Sequence, residues 1–548
     1  MMKNKIKYPV FSLAAAVLFF TLAEIVCRVF FVYPGACDFI ERRVIEQGLT
    51  KYKPNGEFRI FLYGESTMQG DALYPKSTVE KWIAIYLKDL LGQDVAKKVK
   101  IYNLARLGSN SHFISQSFLS TIAYKPDLAV FYTSHNDFVQ LDNRHSDFDP
   151  QPLAFGDKGY LKHLGRRFIR QSAFLSQMNR LYVRFKVERH QRRDRFKKEE
   201  SLTIETQDKF YNPSYDTINH DSYVFRTIFA NWIRNVNRIV HAARRRHVSV
   251  IFLEGVSNFK EYEPNESVHH DSLSPSNLAE WEDAHRKAEE AFSHQDYRAA
   301  LEFYRKCLEI DPEYALTYYR LGQCQENLSE FDKANDYYQT ANDKDRVPLR
   351  VPSEVNRFYD SVGRANLPDV FIIQTQKLFE KYSANGIADS NLLLDTMHPT
   401  IEGQALMALE IVELIYDKGL VAPKEFWHWN DLGPTGDYEK ELGLDKDFEF
   451  NLYLKKAVFV GRFYDKAIEY SKKALTIKPD SIDAKRQLAW TYWRKGDVDE
   501  AMRLYDEIYQ KDPDVFEQIM RAQPDLGQSM AFGRKRRNLR IPLVTGSL

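Results

Sequence analysis

The sequence predicts an α/β domain with a doubly wound parallel sheet of five strands between helices, joined to all-α helical repeat pairs and preceded by one N-terminal transmembrane helix. Three observations carry this reading. Five short runs, apolar on both faces and bounded by turn residues, alternate with helical segments, as the strands of a parallel sheet covered on both sides must. Residue types recur at 34-residue spacing in two separate regions. A long apolar stretch follows the first lysines.

The chain of 548 residues exceeds the size at which a single core keeps growing, so more than one domain is expected. Lys3, Lys5 and Lys7 lie in residues 1–7, and residues 8–32, from Tyr8 to Val32, form one hydrophobic run. At about 1.5 Å per residue such a helix crosses about 30 Å of hydrocarbon, with Arg28 snorkelling and Glu24 one turn away as its partner. The lysines keep the N-terminus inside, so everything after Pro34 is expected to be extracytoplasmic. A cleaved signal peptide, or lipidation at Pro34-Gly35-Ala36-Cys37, is the rival reading. The length of the run and the lack of a clear A-x-A site favour an uncleaved anchor.

After a linker at 33–56, strands are expected at Arg59 to Tyr63, Lys100 to Asn103, Asp127 to Thr133, Val248 to Leu253 and Val370 to Ile373, with helices from Thr78 to Leu91 and from Ser111. Residues 57–262 and 350–420 therefore make one α/β domain, interrupted twice. The first interruption, 138–225, carries Arg166, Arg167, Arg170, Arg180, Arg184, Arg192, Arg193 and Arg195 among Phe168, Phe174, Tyr182 and Phe185. It reads as a helical hairpin with its aromatics on the sheet and its charges in water, or as a face for anionic lipid or an acidic polymer.

The second interruption is periodic. Tyr297, Ala300, Tyr304 and Cys307 recur as Phe331, Ala334, Tyr338 and Ala341, and Ala467, Ala474 and Pro479 recur as Ala501, Ile508 and Pro513. The period, the small residue where two helices cross and the terminal proline resemble the tetratricopeptide repeat. Repeat pairs are expected at 279–345 and 430–515, each packing on the α/β domain or on the other pair, with a tail at 516–548 whose Arg534 to Arg537 are solvated. Their concave faces can take a protein partner's peptide.

Lys plus Arg number 77 against 76 Asp plus Glu, a net charge of +1, so no global footprint of nucleic-acid binding exists. Four cysteines, Cys27, Cys37, Cys307 and Cys324, lack any CxxC or Cys/His cluster and support neither a disulfide framework nor zinc.

The chemistry lies at the strand ends. The first strand runs into Gly64-Glu65-Ser66-Thr67-Met68-Gln69-Gly70, where open α/β sheets bind ligands; Met68 rules out the G-x-S-x-G elbow. The second strand ends in Asn103-Leu104-Ala105-Arg106-Leu107-Gly108, the third in Ser134-His135-Asn136-Asp137, and Asp395-Thr396-Met397-His398-Pro399 follows the last. Taken singly these residues are ordinary: Ser66 a helix cap, Asn136 a turn residue, His398 structural, Asp395 a cap for a helix beginning near Pro399. Their ordered co-occurrence resembles the SGNH or GDSL hydrolases over 57–262 and 350–415.

Acyl transfer needs a nucleophile, a base and an orienting carboxylate, the parts Ser66, His398 and Asp395 would play. The resemblance assigns the oxyanion donors to the backbone N–H of Ser66, the backbone N–H of Gly108 and the side-chain amide of Asn136. It departs from the family at Glu65, usually aspartate, at Ser134, usually glycine, and at Ala105, often glycine; the last two add a Cβ near the expected pocket floor. Trp427, His428 and Trp429 read as a packing cluster joining the hydrolase to the second repeat pair, and His269-His270 as part of a polar loop.

The expected protein is thus a membrane-anchored, extracytoplasmic serine esterase that forms an acyl-Ser66 intermediate, with no metal or organic cofactor implied. Its substrate would be an O-acetyl or small acyl ester of a carbohydrate or lipid. Transfer of the acyl group to a sugar hydroxyl is the nearest alternative, and a repeat scaffold with an inactive hydrolase domain the other.

Overall fold

The computed structural model describes residues 17–26, 38–139, 172, 174, 175, 178 and 218–522. The chain divides into two compact units, 1–197 with 215–435, and 198–214 with 436–548.

The first unit is built on five parallel strands: β1 Phe58–Gly64, β2 Val99–Asn103, β3 Leu128–Tyr132, β4 Ser249–Leu253 and β5 Val370–Ile373, in the order β2-β1-β3-β4-β5. Ile60 to Tyr63 and Leu128 to Tyr132 are wholly buried, which explains why these runs are apolar without alternation. Helices α1 Asp38–Glu46, α2 Ser66–Gln69, α3 Val79–Ala96, α4 Ser111–Thr121, α5 Asn136–Val139 and α6 Tyr223–Arg245 fall between β1 and β4 or just before them. On one face, Phe61, Tyr63, Phe131 and Phe252 pack in a single core with Ile40 and Val44 of α1, Phe113 and Phe118 of α4, and Trp232, Val236 and Ile239 of α6. Alternate strand positions point to the other face, where α3 packs on β2 and on α13 Ile401–Asp417. All five expected strands occur within a residue or two of their expected ends.

Among the described residues no helix is long and apolar enough to cross a membrane. The expected anchor, 8–32, lies outside the described residues except for 17–26, a helix on which Val17, Leu18, Phe19, Phe20 and Leu22 are each more than half exposed. Glu24, expected to pair with Arg28, accepts hydrogen bonds from Ser172 Oγ (2.7 Å) and the Phe174 N–H (3.0 Å); Arg28 is not among the described residues. Most of the 138–225 insertion is likewise outside them. Phe174, expected on the sheet, packs edge-on against Phe19 and Phe20, where apolar rings are available to it.

The inserted repeat forms two helical hairpins, α7 Pro275–Ser293 with α8 Tyr297–Ile310 and α9 Ala315–Asn327 with α10 Phe331–Lys344. Ser274 caps α7 and Pro275 opens it, so the pair begins four residues earlier than expected. Tyr319, Tyr338 and Ala341 share a cluster with Phe259 and Ile387 of the α/β domain, as expected of a pair too short to stand alone. After it, α11 Ser353–Arg364 leads into β5 and α12 Thr375–Tyr382 out of it. Trp427 and Trp429 stack on each other and meet Tyr416 of α13 edge-on, closing the first unit's packing.

In the second unit, α14 Lys446–Phe459, α15 Tyr464–Ile477, α16 Ile482–Lys495, α17 Val498–Lys511 and α18 Pro513–Ala522 follow in sequence. Leu488, Ala501, Tyr505, Ile508 and Phe516 make a core of their own. Short helical turns and the four-residue helix Glu439–Leu442 precede Lys446, where the longer helices begin, and these run past 515. Pro513 sits at the first position of α18, where its missing N–H costs nothing, and so opens a helix rather than ending the array.

Candidate active site

With the order β2-β1-β3-β4-β5, the chain turns outward in opposite directions from β1 and β3, and the crevice at their carboxyl ends is the place where such sheets bind ligands. Gly64 ends β1. A Cβ there would lie 2.5 Å from Met68 Cβ and 2.8 Å from Tyr132 O, so only glycine lets the strand turn at once into α2. Gly70, at φ +85°, ends that single turn of helix.

Ser66 is the first residue of α2. Glu65 holds the cap position, so the Ser66 hydroxyl is not a cap. Its Oγ lies 2.7 Å from His398 Nε2. On the other side of the ring, Nδ1 is 2.9 and 2.8 Å from the two Asp395 oxygens. Asp395 Oδ1 also accepts the backbone N–H groups of Met397 and His398, both at 2.9 Å, which fixes the tight turn between carboxylate and imidazole. The α13 helix is capped by Thr400, whose Oγ1 accepts the Gly403 N–H, so Asp395 has no capping duty. Asp395 is fully buried, His398 is 3% exposed and Ser66 7%, which keeps bulk water from competing for these bonds. A buried carboxylate at Nδ1 holds the proton there and leaves the Nε2 lone pair toward Ser66 Oγ. Asp71 Oδ2 lies 4.0 Å from Nε2.

The other expected residues converge on the same turn. Ser109 Oγ donates to Gly64 O at 2.9 Å, and Asn136 Nδ2 donates to Ser109 O at 2.9 Å, tying the loops after β2 and β3 to the start of α2. One amide hydrogen of Asn136 is used in this way, leaving its second for an incoming oxygen. Gly108 adopts φ +67°, a left-handed conformation that suits glycine, on the exposed side of this junction. Asn103 completes the frame: its Nδ2 donates to Met68 O (3.0 Å) and Glu80 Oε2 (2.7 Å), and its Oδ1 accepts the Ala105 N–H (3.1 Å).

Glu65 has a role that its place in the motif did not reveal. Its buried carboxyl accepts the backbone N–H groups of Ser134 (2.8 Å), His135 (3.3 Å) and Asn136 (3.2 Å), so it holds the loop that carries the Asn136 amide. Burial, reinforced by the charge of Asp137, pushes Glu65 up to about 8. Asp137, itself pushed up to about 6 by burial, accepts the N–H and hydroxyl of Ser111 at 2.7 and 2.6 Å. Burial, then the proximity of His398, holds His135 down to about 3.

These shifts fix a pH dependence. A carboxyl raised to about 8 stabilises the fold through its protonated form, fully below its ordinary 4.5, and that contribution is lost as pH rises through 8. His135, lowered from 6.5, affects stability only below 6.5. Between pH 6.5 and 8 the thermal midpoint is therefore expected to fall as pH rises, with Glu254, also pushed up to about 8 by burial, contributing alongside Glu65, so Glu65→Gln should lessen the slope without abolishing it. Calorimetry at the two ends of the window checks this; a midpoint that climbs across it contradicts a protonated Glu65.

Both residues that add a Cβ, Ser134 and Ala105, are buried in packing. Ser134 is fully buried and faces Gly255, where a Cβ would come within 2.5 Å of Ser134 Oγ and 2.8 Å of Ser134 Cβ. The absence of a side chain at Gly255 thus leaves the space that Ser134 occupies. Gly255→Ala is expected to cut turnover about tenfold or more by displacing the Asn136 loop, and adding Ser134→Gly, which leaves the Val351 Cγ2 contact at 2.8 Å in place, to restore part of it. Failure of the second change to rescue the first, measured as kcat, would show that Gly255 acts elsewhere. Ala105 is buried, tethered through Asn103. His269 and His270 lie in a polar loop, as expected, and His269 bonds Asp311 at 2.7 Å and stacks on Tyr314, tying that loop to the repeat helices.

The tetratricopeptide repeat family matches residues 291–349 and 464–522. A search of the curated proteins finds no match. Among solved structures, the chain is similar to a GDSL-like lipase from Bacteroides thetaiotaomicron (10% identity, 69% of this chain and 98% of that one, TM-score 0.29). It is similar also to a candidate acylhydrolase from Bacteroides fragilis (12% identity, 69% and 96%, TM-score 0.30). A thermophilic tetratricopeptide protein from Thermus thermophilus shares 16% identity over 45% of this chain and 98% of its own, at a TM-score of 0.14.

Proposed function

We propose that the protein is a serine esterase, held to a membrane by its N-terminal helix with the catalytic unit on the extracytoplasmic side, cleaving O-acetyl or other small acyl esters. The observation that carries this reading is the 2.7 Å bond from Ser66 Oγ to His398 Nε2 with the Asp395 carboxylate behind the ring. Ser66 Oγ attacks the ester carbonyl while its proton passes to Nε2, and Asp395 stabilises the imidazolium. The carbonyl oxygen becomes an oxyanion, stabilised by the N–H groups of Ser66 and Gly108 and the free amide hydrogen of Asn136. His398 then returns the proton to the leaving alcohol, and water repeats the sequence on the acyl-Ser66 ester. The exposed apolar side chains of residues 17–26 support the anchor, and the repeat helices support a protein partner.

Purified full-length protein in detergent is expected to hydrolyse p-nitrophenyl acetate. Inertness of a folded sample contradicts the esterase reading and leaves a scaffold. Release of p-nitrophenol that depends on an added oligosaccharide, with the acetyl group recovered on the sugar, overturns hydrolysis in favour of transfer. Release of the protein from membranes by a carbonate wash contradicts the anchor.

A further inference from the structure

The outer side of α6 takes no part in the ester chemistry. Between α4 and α6 runs an open groove of about 690 Å³, lined by Leu119 and Ile233 and by Arg234, Arg238, His241 and Arg245. Among the described residues none of these arginines has an acidic partner; Arg234 donates to the neutral Asn231 Oδ1 at 2.8 Å. Exposed Arg244 and Arg246 extend the same charge past the helix end. Residues 140–217 carry sixteen Lys and Arg against eleven Asp and Glu, so the insertion shares the groove's net positive sign. The core shared by α6 and α4 also takes in α1, the first described helix after residues 17–26.

We infer that this face docks on an anionic membrane surface, with lipid phosphates against Arg234, Arg238 and Arg245 and the headgroup boundary over Leu119 and Ile233. The apolar floor under a cationic rim suits an amphiphile. Together with the anchor it gives two points of attachment, which would fix how the catalytic unit stands on the bilayer. The inference rests on the membrane-anchored reading, and its test separates the two.

Full-length protein is placed in lipid nanodiscs of phosphatidylcholine alone, or with about a third phosphatidylglycerol, and hydrogen exchange is followed over residues 230–245. The expected result is protection in the anionic discs only, lost in the triple variant Arg234→Gln, Arg238→Gln, Arg245→Gln, whose ester hydrolysis in detergent matches the parent. Equal protection in both discs, or none in either, overturns the inference. Should the chain fail to enter either disc, the anchor reading falls and the groove is read directly by vesicle flotation. The parent should then bind phosphatidylglycerol vesicles about 100-fold more tightly than the triple variant, and equal binding overturns the docking face.

Discussion

Replacing Ser66 by alanine, or His398 by alanine, is expected to lower kcat for an acyl ester at least about 1,000-fold and to leave the thermal midpoint little changed. The two side chains act as one unit: without the imidazole the hydroxyl keeps its proton, and without the hydroxyl the imidazole has nothing to activate. The double variant should therefore be about as slow as either single one, not slower by the product. Residual rate over water would come from the oxyanion donors, which neither change removes. Asp395→Asn should fall in the same range, because its amide cannot hold the Nδ1 proton in place as the carboxylate does at 2.8 Å. Retained turnover in His398→Ala would show that the base is elsewhere, with Asp71, 4.0 Å from Nε2, the first group to test.

Glu65→Ala is expected to cut kcat about 100-fold or more with little change in KM. The substitution strands three buried backbone N–H groups, at Ser134, His135 and Asn136, each at a cost of about 1–3 kcal/mol. The loop relaxes and the Asn136 amide leaves its place; losing one oxyanion donor typically costs about 100- to 1,000-fold in rate. That donor meets charge only in the transition state, so the loss belongs in kcat. Glu65→Asp keeps a carboxyl within reach of the same loop and should change turnover little, which distinguishes positioning from unfolding. Steady-state kinetics on the three proteins, with circular dichroism to confirm the fold, check this. An unchanged kcat in a folded Glu65→Ala protein would mean that the loop holds itself.

The sheet was legible because burial on both faces forces its strands to be short and continuously apolar, and Ile60 to Tyr63 and Leu128 to Tyr132 are both. The repeats were legible because small residues must recur where helices cross: a Cβ at Gly322 would sit 2.7 Å from the Tyr338 ring. The triad residue types were legible as ordered blocks, but their union, 332 residues apart for Ser66 and His398, is tertiary. Glu65 was passed over because its partners are backbone N–H groups, which have no residue identity to read. Gly255 makes room for Ser134 across 121 positions of sequence, and nothing local marks that contact. The docking groove escaped notice because the arginines of α6 look like an ordinary solvated face until the shape beside Leu119 is seen.

Activation of Ser66 as a nucleophile has a direct test. Full-length protein treated with a fluorophosphonate probe and mapped by mass spectrometry should carry the label on Ser66, with none on the Ser66→Ala protein and labelling slowed at least about 1,000-fold in His398→Ala. Folded protein that takes no label, or takes it on another serine at the same rate in all three, would contradict it.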